Sequence, residues 1–442
     1  MKNRNDSKGQ GQFLQPDLPS MLDPRQELYR LAQALPWGQL EKEFEGFYSE
    51  EGRPAKPIRL MVGLLILKQL HDLSDEELVG HWKQNPYFQF FCGEEVFKWE
   101  PPCEPSDLTH FRNRIGPEGI EKILEASIKL HGKRALEEEV VIDTTVQEKN
   151  ITYPTDSKLA KKIIERCWKI QESEEIAVRR SYKRTVPKLL SGQRYWGHRT
   201  KAGKARKSAR RLNTIAGTLV RELRRKLPHK ALKHYESDLE LYEKVLAQRP
   251  GQKDRIYSLH ETQVYCMAKG KSHKRYEYGA KASVVMSKTS GVIVGALSFS
   301  KNIYDHATLD PALAQVEKLS GKRPKICITD KGYRGRARNI GGTDILTPRP
   351  SAEGTSDYER RKMRKRFRRR TAIEPIIGHL KSDHRMARNY LKGNAGDDIN
   401  LMMAAAAFNF RKWMRNLLAR LQISLGALLE PQYSITPILQ PS

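Results

Sequence analysis

The sequence predicts a mixed α/β domain, interrupted after its first strand by a large helical insertion and preceded by an all-helical block. Short β-branched or apolar runs of the kind that make buried strands fall at Val140–Ile142, Tyr278–Met286, Gly291–Phe299 and Lys325–Thr329. Between the first and second of these, from 156 to 254, strand signals vanish and basic helical sequence takes over. Ordinary loops do not reach ~100 residues, so this stretch should form a unit of its own. Ahead of residue 136 the patterns are helical only.

In chain order, residues 1–20 are polar and Gly/Gln/Pro-containing and read as a flexible leader. Residues 21–135 follow as a helical block. Ile58 to His71 is an apolar helix entered through Pro57, and Ser74 with Glu77 forms the pattern of a capping box for the next, which must end near Pro86. Helix, short turn, helix is the outline of a DNA-reading motif and equally of two packed bundle helices. Ser106 reads as the cap of a further helix through Leu108, Phe111 and Ile115. Pro117 opens another that ends near Arg134. Residues 136–155 and 255–422 should make the α/β domain. Tyr278–Met286 and Gly291–Phe299 flank a Ser-Lys-Thr-Ser turn and predict a hairpin. A helix over Leu309–Leu319, the strand Lys325–Thr329, a further strand at Ile345–Thr347, basic helical sequence over 357–386 and a helix over Leu401–Leu421 complete it. Residues 423–442 read as a tail.

Charge narrows the function classes. Lys and Arg total 80 against 52 Asp and Glu, a net charge of +28. So large an excess costs self-repulsion in the folded state and implies a polyanionic partner, nucleic acid first. The longest apolar stretch, Leu60 to Leu67, is too short to span a bilayer. The five cysteines are scattered and never paired as C-x-x-C, as expected of reduced thiols in a cytoplasmic protein without a zinc site.

Three acids stand out by placement: Asp143 closing the run V-V-I-D, Asp330 after K-I-C-I-T, and Glu374 in R-R-R-T-A-I-E-P-I-I-G-H-L-K. A strand-end Asp commonly caps a loop, but a carboxylate beside an apolar strand is costly to desolvate unless paired or metal-bound. Two basic runs accompany them. Ile176 to Arg221 contains no acid and carries Arg206, Lys207, Arg210 and Arg211 among interleaved aromatic residues, which suits phosphate neutralisation with stacking. Nine of the eleven residues from Arg360 to Arg370 are Lys or Arg and lead directly to Glu374. Three carboxylates can hold a pair of hard divalent ions, and guanidinium groups beside them would hold a phosphodiester.

These motifs together resemble bacterial insertion-sequence transposases of the DDE type, with a ribonuclease-H-like core. The residues that carry the resemblance are V-I-D-T-T around Asp143, D-K-G-Y-R-G from Asp330, E-P-x-x-G-x-L-K from Glu374 and D-L-T-H-F-R-N-R in the N-terminal block. The family's signature Tyr, Arg, Glu, Lys is met here by Phe367, Arg370, Glu374 and Lys381, with Phe in place of Tyr. Those positions share one helix face only from Glu374 onward, because Pro375 should kink or restart the helix. The resemblance implies Asp143, Asp330 and Glu374 as catalytic, metal-holding residues for two Mg²⁺ ions, with Mn²⁺ as the substitute. It assigns Arg370, Lys381 and Phe367 to DNA. It also implies cleavage at the terminal inverted repeats of an insertion element, joining of the 3′-hydroxyls to double-stranded target DNA, a homodimer or larger assembly, and a place at the bacterial nucleoid. A structure-specific nuclease of the same fold and a non-catalytic sequence-specific DNA-binding protein are the alternatives. Intact acids weigh against the second, and a separate N-terminal block suited to recognising end sequences weighs against the first.

Overall fold

The computed structural model describes residues 17–49, 51, 54–249, 251–268, 275–333, 335, 338–348 and 356–429, with side chains as far as 417. The N-terminal block comprises α1 (Leu18–Met21), α2 (Glu27–Ala34), α3 (Trp37–Glu45), α4 (Ile58–Leu70), α5 (Asp75–Gln84), α6 (Pro86–Phe91) and α7 (Pro105–Lys129). Strand β1 (Glu139–Glu148) leads into the insertion, α8 (Asp156–Ser173), α9 (Thr185–Gly192), α10 (Ala202–Lys226) and α11 (His229–Ala247). Then come β2 (Tyr265–Ala268), β3 (Tyr276–Ser287), β4 (Ile293–Phe299), α12 (Leu309–Ser320), β5 (Ile326–Ile328), β6 (Asn339–Ile340) and β7 (Thr343–Leu346). Helices α13 (Asp357–Arg370), α14 (Ile373–Asp383) and α15 (Gly393–Leu429) close the described chain.

Local chemistry explains the helix boundaries. The Ser74 hydroxyl accepts from Glu77 N–H while the Glu77 carboxylate accepts from Ser74 N–H, so the predicted capping box forms. The predicted Ser106 cap does not: α7 begins at Pro105, and Glu104 with Asp107 makes the box instead, because Pro at the first helical position needs no N–H partner. Gly116, at φ 55°, breaks α7 just before Pro117. Helix α4 is buried along most of its length, while α5 exposes Glu76 and Glu77 in its first turn and His81 and Lys83 in its last.

The sheet runs β2-β3-β1-β5-β7-β6, with β4 sharing with β2 the edge of β3 that β1 leaves open. Strand β1 pairs antiparallel with β3 and parallel with β5, the mixed arrangement of a ribonuclease-H-like fold. One expectation about a strand end is corrected. Asp143 does not close its strand: β1 continues to Glu148 because β3 supplies partners along its whole length, from Val140↔Ser287 to Glu148↔Gly279. Gly279 permits this closely paired end, since a Cβ there would stand 1.9 Å from Gln147 O. The short strands β2 and β6 carry too few residues to show a period and were not foreseen.

One apolar core joins the N-terminal helices to the sheet, through α7, α12 and α15. Asn409 of α15 fastens the layers: its Oδ1 accepts from Ile293 N–H (2.9 Å), and its Nδ2 donates to Ile293 O (2.8 Å) and Ser127 Oγ (3.1 Å). Helices α8–α11 bury a separate cluster, including Ile163, Cys167, Leu212, Leu219 and Leu239. Each such fully buried aliphatic side chain contributes ~1.5–3 kcal/mol, which lets the insertion hold its own shape. The predicted leader ends earlier than residue 20, since Leu18 is already fully buried and its N–H donates to Glu95 O. Residues 1–16 of that leader and 430–442 of the predicted tail lie outside the described residues, and α15 overruns the predicted tail boundary at 423.

Candidate active site

The parallel ladder between β1 and β5 ends at Val141↔Ile328. Asp143 and Asp330 each stand two residues past that last pair, Asp143 still within β1 and Asp330 beyond the end of β5, so both acids lie where the parallel ladder opens. Asp143 Oδ1 accepts from Thr144 N–H (2.8 Å) and Asp330 Oδ1 from Gly332 N–H (2.8 Å), which fixes each carboxylate against its own backbone.

A third carboxylate that sequence reasoning did not single out reaches the same edge. Asp305 lies in the short turn between β4 and α12; its Oδ1 accepts from the Thr144 hydroxyl (2.8 Å) and the Lys281 ammonium (2.8 Å). Its Oδ2 lies only 3.2 Å from where a Cβ on Gly332 would stand, and Asp330 Oδ1 only 3.1 Å from the same point. Tyr333 is buried behind them. Its hydroxyl lies beside Thr144, whose own hydroxyl donates to Asp305, and has no hydrogen-bond partner within 3.5 Å among the described residues. Burial first, and then the charges of Asp143 and Asp305, push the Tyr333 phenol well above its ordinary value.

Glu374 occupies the first turn of α14, where a carboxylate suits the positive end of the helix dipole. The helix packs on the core through Ile373, Ile376 and Leu380, which leaves the Glu374 side chain 62% exposed with Arg370 Nη2 at 3.6 Å. The structure thus brings Asp143 and Asp330 to one edge and leaves Glu374 turned outward. Among the described residues, no three His, Cys, Asp or Glu side chains meet closely enough to hold one metal ion.

Two family models match the chain: a transposase domain (DUF772) over residues 16–114, and a transposase DDE domain over residues 251–410. A Rhizobium meliloti protein described as uncharacterized protein ORF8 in nfe locus is 42% identical over 203 residues, 45% of this chain and 98% of that protein. The chain belongs to the insertion-sequence DDE transposases. No solved structure matches it significantly. As a DDE transposase it is a metal-dependent enzyme that acts on DNA with divalent ions.

The donor set fits such an ion. At the edge of β1 and β5, three carboxylates among the described residues, those of Asp143, Asp305 and Asp330, offer hard oxygen, and the His306 imidazole beside Asp305 keeps a buried Nδ1 without a hydrogen-bond partner among the described residues. The nearest thiol in sequence, Cys327, is fully buried inside β5, and burial raises its pKa.

The remaining sequence candidates of the transposase divide by surface. Arg206, Lys207, Arg210 and Arg211 are all exposed on α10, opposite the buried Ala205, Ser208 and Leu212, and none makes an ion pair among the described residues. Helix α13 buries no residue, yet the half-buried Phe367 ring packs against the main core. Arg366 and Arg369 of α13 are engaged internally, with Glu139 (3.0 Å) and with the carbonyls of Lys288 and Thr289. Thr371 and Ala372 separate α13 from α14, so Pro375 falls in the first turn of a new helix, where its missing N–H costs nothing. Lys381 is half-buried on α14. No described helix is long and apolar enough to cross a membrane.

Proposed function

We propose that this transposase cuts DNA at the ends of its own insertion element and joins the freed 3′-hydroxyls to double-stranded target DNA. The observation that carries this reading is that Asp143 and Asp330 each stand two residues past the last pair of the β1–β5 ladder, with the arginine-rich α13 packed near β5. Those aspartates would hold divalent ions, and Glu374 would complete the site on DNA binding. When bound, the ions would supply charge neutralisation at the attacked phosphate and at the leaving oxygen. Arg370 and Lys381 would grip the phosphodiester, and the packed Phe367 would fix the helix that presents Arg370. The exposed α10 residues Arg206, Lys207, Arg210 and Arg211 would neutralise phosphates further along the duplex. Two element ends must meet for joining, so the working form would be a dimer or larger.

Asp143 lies on β1 and Asp330 just past β5, while Glu374 lies on a helix held to the core through Ile373, Ile376 and Leu380. Movement of α14 on DNA binding would be needed to bring its carboxylate to the edge. The test is a strand-transfer reaction on DNA carrying the element's ends, with and without Mg²⁺. Nicked ends and joined products that appear only with the ion support the reading. Tight end binding with neither product, in Mg²⁺ or Mn²⁺, overturns it.

A further inference from the structure

Asp305 uses its two oxygens differently. Oδ1 takes both the Thr144 hydroxyl and the Lys281 ammonium, which locks the carboxylate plane to β1 and β3. Oδ2 of Asp305 and both oxygens of Asp330 lie 3.1–3.6 Å from the point where a Cβ on Gly332 would stand. Gly332 lies outside the left-handed region of φ, so backbone strain does not call for glycine there. Space does: a single methyl group would press on both acids at 3.1–3.2 Å. Two carboxylates facing one gap repel each other unless a cation stands between them, and the Lys281 ion pair falls on the Asp305 side alone. The Tyr333 hydroxyl, fully buried and unpartnered among the described residues, is a further oxygen held against the same acids.

We propose that Asp305 is a metal-binding residue of this transposase, its Oδ2 sharing a hard divalent cation with Asp330 across Gly332. The inference rests on the reading that the edge of β1 and β5 is the metal site, and it adds a ligand supplied by the turn between β4 and α12. Lys281 and Thr144 are then positioning residues, which aim Asp305 by holding Oδ1.

The test is Mn²⁺ uptake by the full chain, followed by calorimetry, for the parent, Asp305→Asn, Asp330→Asn and Gly332→Ala. Asn retains the Oδ1 acceptor for Thr144 and Lys281 while removing the charge. The proposal expects Asp305→Asn and Gly332→Ala to bind Mn²⁺ at least about tenfold more weakly than the parent, as Asp330→Asn does. Should Asp305→Asn lose its fold by circular dichroism, Thr144→Val decides, because it frees Asp305 Oδ1 from one holding contact, keeps every charge and does not press on Asp330: weaker Mn²⁺ binding supports the proposal and parental affinity overturns it. Weak binding by Asp330→Asn with parental affinity in the other two overturns the role of Asp305 and leaves the metal site standing. No uptake by the parent, with or without end DNA, overturns both.

Discussion

Replacing Glu374 by Gln separates its charge from its shape, and the structure fixes how little else should change. The side chain is 62% exposed, and its ion pair with Arg370 is 3.6 Å long. An exposed pair of that kind contributes ~0.2–1 kcal/mol, and its place in the first turn of α14 adds ~0.3–1 kcal/mol from the helix dipole. Stability should therefore fall by no more than about 2 kcal/mol, with the native fold fully populated at 25 °C. If Glu374 completes the metal site, the loss falls on the transition state instead. Several kcal/mol there, at ~1.4 kcal/mol per decade, is a fall in cleavage of ~100-fold or more. Binding of end DNA should hold or tighten, since one charge repelling phosphate is gone. Arg370→Ala should do the reverse: weaker binding, with cleavage and joining slowed together. Thermal unfolding, fluorescence anisotropy on end DNA and gel-based cleavage, run side by side on both proteins, give the answer. Cleavage by Glu374→Gln within about tenfold of the parent would refute the reasoning and leave Glu374 as a surface partner of Arg370.

Replacing Arg206, Lys207, Arg210 and Arg211 together by Ala should weaken DNA binding and flatten the plot of log affinity against log salt by up to about 3–4; an unchanged slope would mean that this face of α10 is only solvated. Lys149 is buried with Asp397 at 3.0 Å, Glu261 at 3.5 Å and the carbonyls of Leu391 and Gly393. Lys149→Met should cost roughly 3–5 kcal/mol in urea unfolding, by leaving two buried carboxylates without their cation. Burial pushes Asp398 up to about 6, so its contribution is fully present below the unfolded value near 4 and is lost as pH rises through 6. Asp398→Asn should accordingly be more stable than the parent at pH 8, by about 1–3 kcal/mol, with the gain gone by pH 4.

The strands that lead to the first two acids were legible because Val140–Ile142 and Cys327–Ile328 are buried, with Ile326 half-buried, and read as unbroken apolar runs. The far half of β1 was not. Asp143-Thr144-Thr145 looks like a loop until β3 is seen to pair with all of it. Asp305 was hidden for a related reason: it sits in a short turn, and its partners Thr144 and Lys281 are 161 and 24 residues away. The one trace it left is the glycine of D-K-G-Y-R-G, Gly332, where a Cβ would meet the Asp305 carboxylate from another segment. On α10, Arg206, Lys207, Arg210 and Arg211 fall between the buried positions of one helical period, so the helix turns them to solvent. On α13 the charge run gave no sign that Arg366 would pair with Glu139 or that Arg369 would donate to the carbonyls of Lys288 and Thr289. The joining of N-terminal block and sheet into one core depends on the small residues Ala404–Ala407 and the polar clasp of Asn409. Neither gives a signal beyond an amphipathic helix.

The central claim is that the edge where β1 outruns β5 holds the ions for phosphoryl transfer, and Asp330→Cys tests it most directly. A thiolate is a poor ligand for Mg²⁺ and a better one for Mn²⁺. The account predicts that this variant cleaves end DNA ~100-fold or more slowly than the parent in Mg²⁺ and recovers to within about tenfold of it in Mn²⁺. Parental cleavage in Mg²⁺, or the same loss in both ions, would contradict it.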